Sequence, residues 1–175
     1  MKEIKDFKGF RHGPPEKRPA HWEDVFDYVS GSYDVIYATD DLISIRFTAD
    51  TYGWGAAHAV QFYRVINFDL KTGRPVNLSR LFKPRSNYVQ TLSAYCYDDL
   101  KKQINYVLED NFEREIKNAL QNWNVTEKGL LINFEECQVA GCAAHELEVV
   151  VPYIEIKEML APSSVISSIT QAAQV

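Results

Sequence analysis

The order in which two hydrophobic periodicities follow each other constrains the fold of this chain more than any other feature. Apolar and polar residues alternate over residues 33–47, apolar residues recur every three or four positions over residues 86–108, and alternation returns over residues 147–151. Alternation is typical of a half-buried strand, whereas the longer spacing is typical of an amphipathic helix. Strands followed by a helix and then by more strands predict an α+β domain rather than repeated βαβ units.

The first half of the chain is predicted to form an antiparallel meander. Its strands are expected over residues 33–37, 42–47 and 60–70, with turns at residues 40–41 and 53–55. The apolar residues of the third strand change phase near Arg64, which predicts a β-bulge there. Together with strands over residues 130–134 and 147–151, these segments predict one antiparallel sheet of about five strands.

The longest helix is expected from Ser86, its N-cap, to Leu108. Its apolar stripe consists of Val89, Leu92, Cys96, Leu100, Ile104 and Val107. The stripe predicts that the helix packs on the sheet and buries the Cys96 thiol as a small hydrophobic group. Short accessory helices are expected within residues 112–120 and 154–160.

A chain of 175 residues fits a single domain, which we expect over residues 21–160. Residues 1–20 contain glycines and prolines among charged residues and predict a flexible segment. Residues 21–30 have the spacing of a short amphipathic helix, and the Ser- and Ala-rich residues 161–175 predict a frayed tail.

Charge and hydropathy exclude two classes of partner. The chain has 24 acidic and 19 basic residues, a net charge of −5, and no strongly basic window, so it lacks the positive face that a nucleic-acid backbone requires. No apolar stretch approaches the ~18 residues of a membrane span, and we expect no membrane insertion. The first five residues lack the apolar core of a signal peptide, which leaves a cytoplasmic protein and one with a removed leader as alternatives.

One cluster has the residue types of a chemical site. Cys137, Cys142 and His145 lie close together in sequence, and thiolate and imidazole are ligands that zinc prefers. His58 would have to supply a fourth ligand, and the spacing is not that of a standard zinc finger, so we predict no metal and no other cofactor. A disulfide between Cys137 and Cys142 and a Cys142–His145 nucleophile pair stay open.

Motifs of known catalytic machinery are missing. The sequence contains no G-x-S-x-G, P-loop, H-E-x-x-H or G-x-G-x-x-G pattern. Adjacent carboxylates occur at Asp40-Asp41, Asp98-Asp99, Glu109-Asp110 and Glu135-Glu136, but neighbours in a strand or helix point apart and are typical of a solvated face. We therefore predict no catalytic residues.

Several short sequences, none specific alone, together resemble one bacterial family in their order and spacing. They are residues 38–45, 55–58, 67–73, 81–83, 123–134, 138–140, 143–144 and 151–153. The set resembles the RsiV-type C-terminal domain, a bacterial domain of unknown function, and it covers about residues 35–160.

The resemblance implies an extracytoplasmic or envelope-associated protein. In the anti-sigma factors of that family the domain is a sensor that binds lysozyme, and in other members it accompanies a peptidoglycan deacetylase domain that carries the catalysis. The resemblance thus implies a non-enzymatic binding module whose ligand is a protein such as lysozyme or a cell-wall component. The alternatives are a metal-dependent hydrolase using Cys137, Cys142 and His145, and a structural accessory domain without a ligand.

Two loops are the candidate binding surfaces: the turn at residues 52–58 and residues 137–146, which we call the late loop. The expected contact residues are Tyr52, Trp54, His58, Gln138, Gly141, Cys142 and His145. Family members usually read Tyr-Gln-Val-Ala-Pro-Tyr-Ala-Ala-Gly-Pro in the late loop, where this chain has Cys137 for the first Tyr and Gly141-Cys142 for Pro-Tyr. The missing aromatic anchor predicts weaker lysozyme binding than that of the family's sensors.

Overall fold

The computed structural model describes residues 4–8, 28–52, 58–104, 106–141, 144, 147–167 and 169. Three expected contact residues, Trp54, Cys142 and His145, lie outside these ranges. Residues 21–27 of the helix expected over residues 21–30 also lie outside these ranges, and residues 28–30 belong to a strand. The fold of the described residues is α+β, as predicted, but its strands form two antiparallel sheets.

The first sheet holds five strands in chain order. They are β1 (Ile4–Lys8), β2 (Tyr28–Ala38), β3 (Leu42–Tyr52), β4 (Val60–Asp69) and β5 (Arg74–Pro75), each antiparallel to its neighbours. The β-bulge predicted near Arg64 is wrong, because β3 and β4 pair without a shift and the irregularity lies in β2 between Val35 and Tyr37. The apolar pattern of β4 changes phase because both its faces are apolar: Tyr63 is buried, whereas Ile66, on the other face, is 44% exposed.

The second sheet has the order β6 (Trp123–Val125), β7 (Gly129–Phe134) and β8 (Leu147–Pro152). The expectation of a single sheet of about five strands on one long helix is therefore wrong. The physical reason is that every residue of β7 is buried, and a strand without a solvated face needs cover on both sides. At Gly129 this packing is so close that a Cβ atom would lie 2.1 Å from the carbonyl oxygen of Val151.

Three helices accompany the described strands: α1 (Tyr88–Gln103), α2 (Glu109–Ala119) and α3 (Tyr153–Ile156). Single 3-10 turns lie at Leu78–Leu81 and Lys157–Met159. α1 packs against β8, α2 packs against β7, and β6 lies on the first sheet. No described helix has the length and hydropathy that crossing a membrane would take.

The predicted stripe of α1 is confirmed at its centre, where Leu92, Cys96 and Leu100 are fully buried. The helix is shorter than predicted, because its N-cap is Asn87 and Ile104 is already extended, with φ −135° and ψ 151°. Val107 is nevertheless buried. The spacing therefore predicted the core residues correctly and the end of the helix incorrectly.

Both terminal segments contain described residues that take part in the fold. Ile4–Lys8, inside the segment expected to be flexible, form β1 and pair with β2. Ile166, inside the tail expected to be frayed, is fully buried and belongs to the core.

Buried polar side chains join the two sheets, and we call Ser44, Asn67, Asn124 and Asn133 the junction network. Ser44 Oγ donates to Asn67 Oδ1 at 2.6 Å and accepts from Asn124 Nδ2 at 2.8 Å. Asn133 Nδ2 donates to Asn124 Oδ1 at 3.0 Å. A chain of hydrogen bonds thus runs from the first sheet through β6 to β7.

The junction network also bonds the backbone of β6, which is an edge strand of the second sheet. Asn67 Nδ2 donates to the carbonyl of Trp123 at 2.7 Å, and the N–H of Val125 donates to Ser44 Oγ at 3.1 Å. Buried backbone groups need partners of this kind, because an unpaired one costs about as much as a lost hydrogen bond. The side chains of one sheet therefore complete the edge of the other.

Arg46 extends the junction network toward the surface. Its Nη1 donates to Asn133 Oδ1 at 2.9 Å and to the carboxylate of Glu148, and its Nη2 lies 4.0 Å from Asp34 Oδ2. The guanidinium carbon is 5.3 Å from the ring centroid of Tyr63. Arg46 thereby ties the first sheet to β7 and β8.

Candidate functional site

Tyr52 and His58 are the described residues of the candidate turn at residues 52–58, which connects β3 to β4. Tyr52, the last residue of β3, is half-buried, and His58 is exposed. His58 Nδ1 lies 2.8 Å from the carbonyl oxygen of Ala59, and since a carbonyl only accepts, Nδ1 carries the proton. This hydrogen bond fixes the His58 ring beside the start of β4.

The late loop begins with a strained and covalently constrained residue. Cys137 is exposed, has a φ of 62° in the left-handed region, and is disulfide-bonded. A sulfur in a disulfide is not the thiolate that zinc binds, which argues against Cys137 as a ligand in the proposed Cys137, Cys142 and His145 metal site. No three His, Cys, Asp or Glu side chains gather into a metal site within the described ranges.

Gln138 holds the late loop in place from within. Its Oε1 accepts from the N–H of Glu135 at 2.9 Å, and its Nε2 donates to the carbonyl of Glu115 in α2 at 3.2 Å. The N–H of Leu108 donates to the carbonyl of Val139 at 2.9 Å. Gln138 therefore positions the loop, a role that its place in the sequence did not indicate.

Gly141, like Cys137, is an exposed residue of the late loop. The two residues before it, Val139 and Ala140, are 1% and 4% exposed and belong to the core. A Cβ atom added at Gly141 would have no neighbour within 4 Å. A partner can therefore approach the backbone at Gly141 without displacing a described side chain.

The chain that enters the late loop is bonded to the first sheet. Arg64 Nη1, in the middle of β4, lies 3.0 Å from Glu135 Oε1, two residues before Cys137. This ion pair holds the start of the late loop beside β4.

Two buried ionisable groups are unsuited to catalysis. Burial raises the pKa of the Cys96 thiol to about 12, so the thiolate that a nucleophile requires does not form near neutral pH. Burial likewise raises the pKa of Tyr153, whose hydroxyl donates to the carbonyl of Thr126 at 2.8 Å. The structure thus agrees with the reading of Cys96 as a core residue.

Comparison with known proteins finds similarity to a group of proteins of unknown function. Residues 79–154 match a family model described as a protein of unknown function, DUF3298. No curated protein matches the chain. The match agrees with the expectation of a domain of unknown function, while the more specific RsiV-type resemblance stays a prediction.

Two similar solved structures carry the same family description. A member of the DUF3298 family from Bacteroides fragilis NCTC 9343 is 19% identical with a TM-score of 0.66, over 83% of this chain and 58% of that one. A DUF3298 family protein from Pseudomonas aeruginosa PAO1 is 14% identical with a TM-score of 0.59, over 81% of this chain and 67% of that one. At these identities the likeness shows the fold. This chain spans little more than half the length of the Bacteroides protein.

Proposed function

We propose that this chain is a non-enzymatic binding module of the bacterial cell envelope, and that its ligand is a cationic protein such as lysozyme. The observation that carries the proposal is the construction of the late loop. An exposed backbone at Gly141 is held by the Cys137 disulfide and the hydrogen bonds of Gln138. Backbone that is already held by such bonds loses less conformational entropy on binding, which raises affinity.

The disulfide also supports an extracytoplasmic location. Disulfides persist in oxidising environments such as the periplasm and the cell surface, and they are rare in the reducing cytosol. A disulfide at Cys137 therefore favours an extracytoplasmic chain, which the resemblance to envelope sensors also implies.

Charge favours a cationic ligand. The chain carries a net charge of −5, and Glu135 and Glu136 stand directly before the late loop. Complementary charge steers the encounter of two proteins and speeds association at low salt. No observation favours the hydrolase alternative, because Cys137 is held in a disulfide and Cys96 is buried.

Calorimetric titration with purified lysozyme tests the proposal. We expect saturable one-to-one binding that weakens with salt, since the Debye length falls from about 30 Å at 0.01 M to about 10 Å at 0.1 M, but that persists at 0.15 M. Gly141→Arg should abolish it, because the new side chain brings bulk and positive charge to the contact. Ala94→Arg, on the exposed side of α1, makes the same charge change away from the loop and is the matched control.

Three outcomes separate the possibilities. Binding lost with Gly141→Arg and kept with Ala94→Arg supports the late loop as the contact. Equal losses in both variants would mean charge attraction alone. No heat from folded protein at either salt would exclude lysozyme and leave a cell-wall component, to be tested by co-sedimentation with purified peptidoglycan.

A further inference from the structure

One edge of the first sheet has no described strand beside it along most of its length. β5 pairs with β4 only at Phe68 and Asp69. Among the described residues, no strand lies beyond residues 60–66 of β4. An exposed strand edge is a template on which another extended chain can pair.

The hydrogen bonds at the ends of β4 show which residues face this open edge. The carbonyl of Asn67 accepts from the N–H of Val76 on the β5 side at 2.7 Å, whereas the N–H of Leu70 donates to Asp41, next to β3, at 2.8 Å. Backbone groups alternate from side to side along a strand, so odd-numbered residues of β4 face outward. The N–H and C=O of Val65 therefore point away from β3, into the space beside the sheet.

Helix α2 forms the opposite wall of that space. Val65 and Gln121 line two adjoining cavities, of about 640 Å³ and about 540 Å³. Because the cavities share a residue from the strand and a residue just past the helix, they form one groove. We call it the β4–α2 groove, because it is lined by the outward edge of β4 and by residues of α2 and the turn after it.

The two halves of the β4–α2 groove differ in chemistry. The first half is acidic, with Glu115, Glu135 and Glu136 against Arg64. Arg64 is paired with Glu135 and Glu115 with Arg114, whereas Glu136 forms no ion pair with a described residue. The second half, which we call the apolar half, holds the apolar residues Val76, Tyr88, Val89, Leu120 and Trp123 together with polar ones that include Lys117.

We propose that the β4–α2 groove binds an extended peptide, which adds to β4 as an antiparallel strand with an apolar side chain followed two residues later by a basic one. β4 runs from the acidic half toward the apolar half, so an antiparallel strand enters at the apolar half. Residues two apart point to the same face, about 6.6 Å from each other, which places one side chain in each half. This inference goes beyond the proposed function, because its ligand is an unfolded strand and its site does not include Gly141.

Fluorescence anisotropy with short labelled peptides tests the proposal. The probe is Thr-Leu-Thr-Lys-Thr with blocked ends, and its control is Thr-Lys-Thr-Leu-Thr, which has the same composition in the opposite order. We expect the probe to bind saturably and at least about tenfold more tightly than the control. In the proposed register the backbone N–H groups of Leu and Lys point toward β4, and that of the central Thr points away. N-methylation of Leu and Lys should therefore abolish binding, whereas N-methylation of the central Thr should not.

Two protein variants localise the binding. Val65→Pro removes an N–H that faces the groove and not β3, so the sheet keeps its ladder while the probe should bind about tenfold more weakly; Val65→Ile is the matched control. Glu136→Lys should weaken the binding of the probe by a similar factor. This second variant tests the proposal even if Val65→Pro does not fold. Lysozyme binding should be unchanged in Val65→Pro, which separates this proposal from the proposed function.

The proposal is overturned if the reversed or the N-methylated peptide binds as well as the probe. It is also overturned if folded protein shows no saturable binding of the probe, or if neither Val65→Pro nor Glu136→Lys weakens it.

Discussion

Ser44 Oγ donates a hydrogen bond to Asn67 Oδ1 at 2.6 Å, between directly paired residues of β3 and β4, and the same oxygen accepts the N–H of Val125 from the second sheet. Ser44 and Asn67 thus form a cross-strand pair within the first sheet, and they also hydrogen-bond the backbone of β6 at the edge of the second sheet. This relationship fixes how the two sheets meet, and with it the position of the late loop beside β4.

Removing one member of this pair should destabilise the protein. Ser44→Ala leaves Asn124 Nδ2 without the acceptor that Ser44 Oγ provides, and a buried unsatisfied group costs about 1–3 kcal/mol. Asn67 Oδ1 and the N–H of Val125 also lose Ser44 Oγ and keep only their mutual bond of 3.4 Å. We expect a loss of at least about 1 kcal/mol in urea unfolding. Ser79→Ala, at an exposed serine, is the control, and equal effects of the two would contradict the structural role of the pair.

The core face of α1 makes a second prediction. Leu100 is fully buried, so Leu100→Ala should lower the free energy of unfolding by about 2–5 kcal/mol. Ile154→Ala, at a position that is 61% exposed, should cost much less. A loss below about 1 kcal/mol for Leu100→Ala would mean that the packing of α1 is misassigned.

Thiol titration tests the state of the cysteines. The native protein at pH 8 should react with no equivalent of a thiol reagent, because Cys96 is buried with its pKa raised to about 12 and Cys137 is in a disulfide. Unfolding without reductant should expose one thiol, and unfolding after reduction should expose all three cysteines of the chain. Peptide mapping of the unreduced protein should find Cys137 linked to Cys142. Rapid reaction of the native protein with the thiol reagent would contradict the burial of Cys96.

The raised pKa of the Cys96 thiol predicts that the free energy of unfolding falls at alkaline pH. Below the ordinary thiol pKa of about 8.5 both states keep the proton, but above it the unfolded state ionises while the native state does not until about pH 12. Stability should therefore fall as pH rises, by about 2 kcal/mol at pH 10 from this group. Unfolding at pH 8 and pH 10 measures it, and an equal fall in Cys96→Ala would show that other groups are responsible.

The sequence predicted the core better than the architecture. The spacing of Leu92, Cys96 and Leu100 identifies the buried face of α1, because helical periodicity is local information. The division into two sheets depends on the junction network, which long-range contacts create. The available signal was Asn133, the one polar residue of β7, which interrupts an otherwise apolar strand and so required a partner.

The candidate site was predictable only in part. The sequence singled out Gln138 as a contact residue, but not its hydrogen bonds to Glu135 and Glu115. Glu115 lies in α2, and no local pattern in the late loop reveals that partner. The β4–α2 groove was not foreseen for the same reason, since Val65 and Gln121 are far apart in sequence.

Hydrogen exchange of the chain with and without saturating lysozyme tests the central claim most directly, because it reports both whether lysozyme binds and where. The binding-module account predicts slower exchange in peptides that cover Gly141 and the rest of the late loop, with no change over Leu92–Leu100 in α1. No change anywhere in the chain, or protection confined to segments away from the late loop, would contradict it.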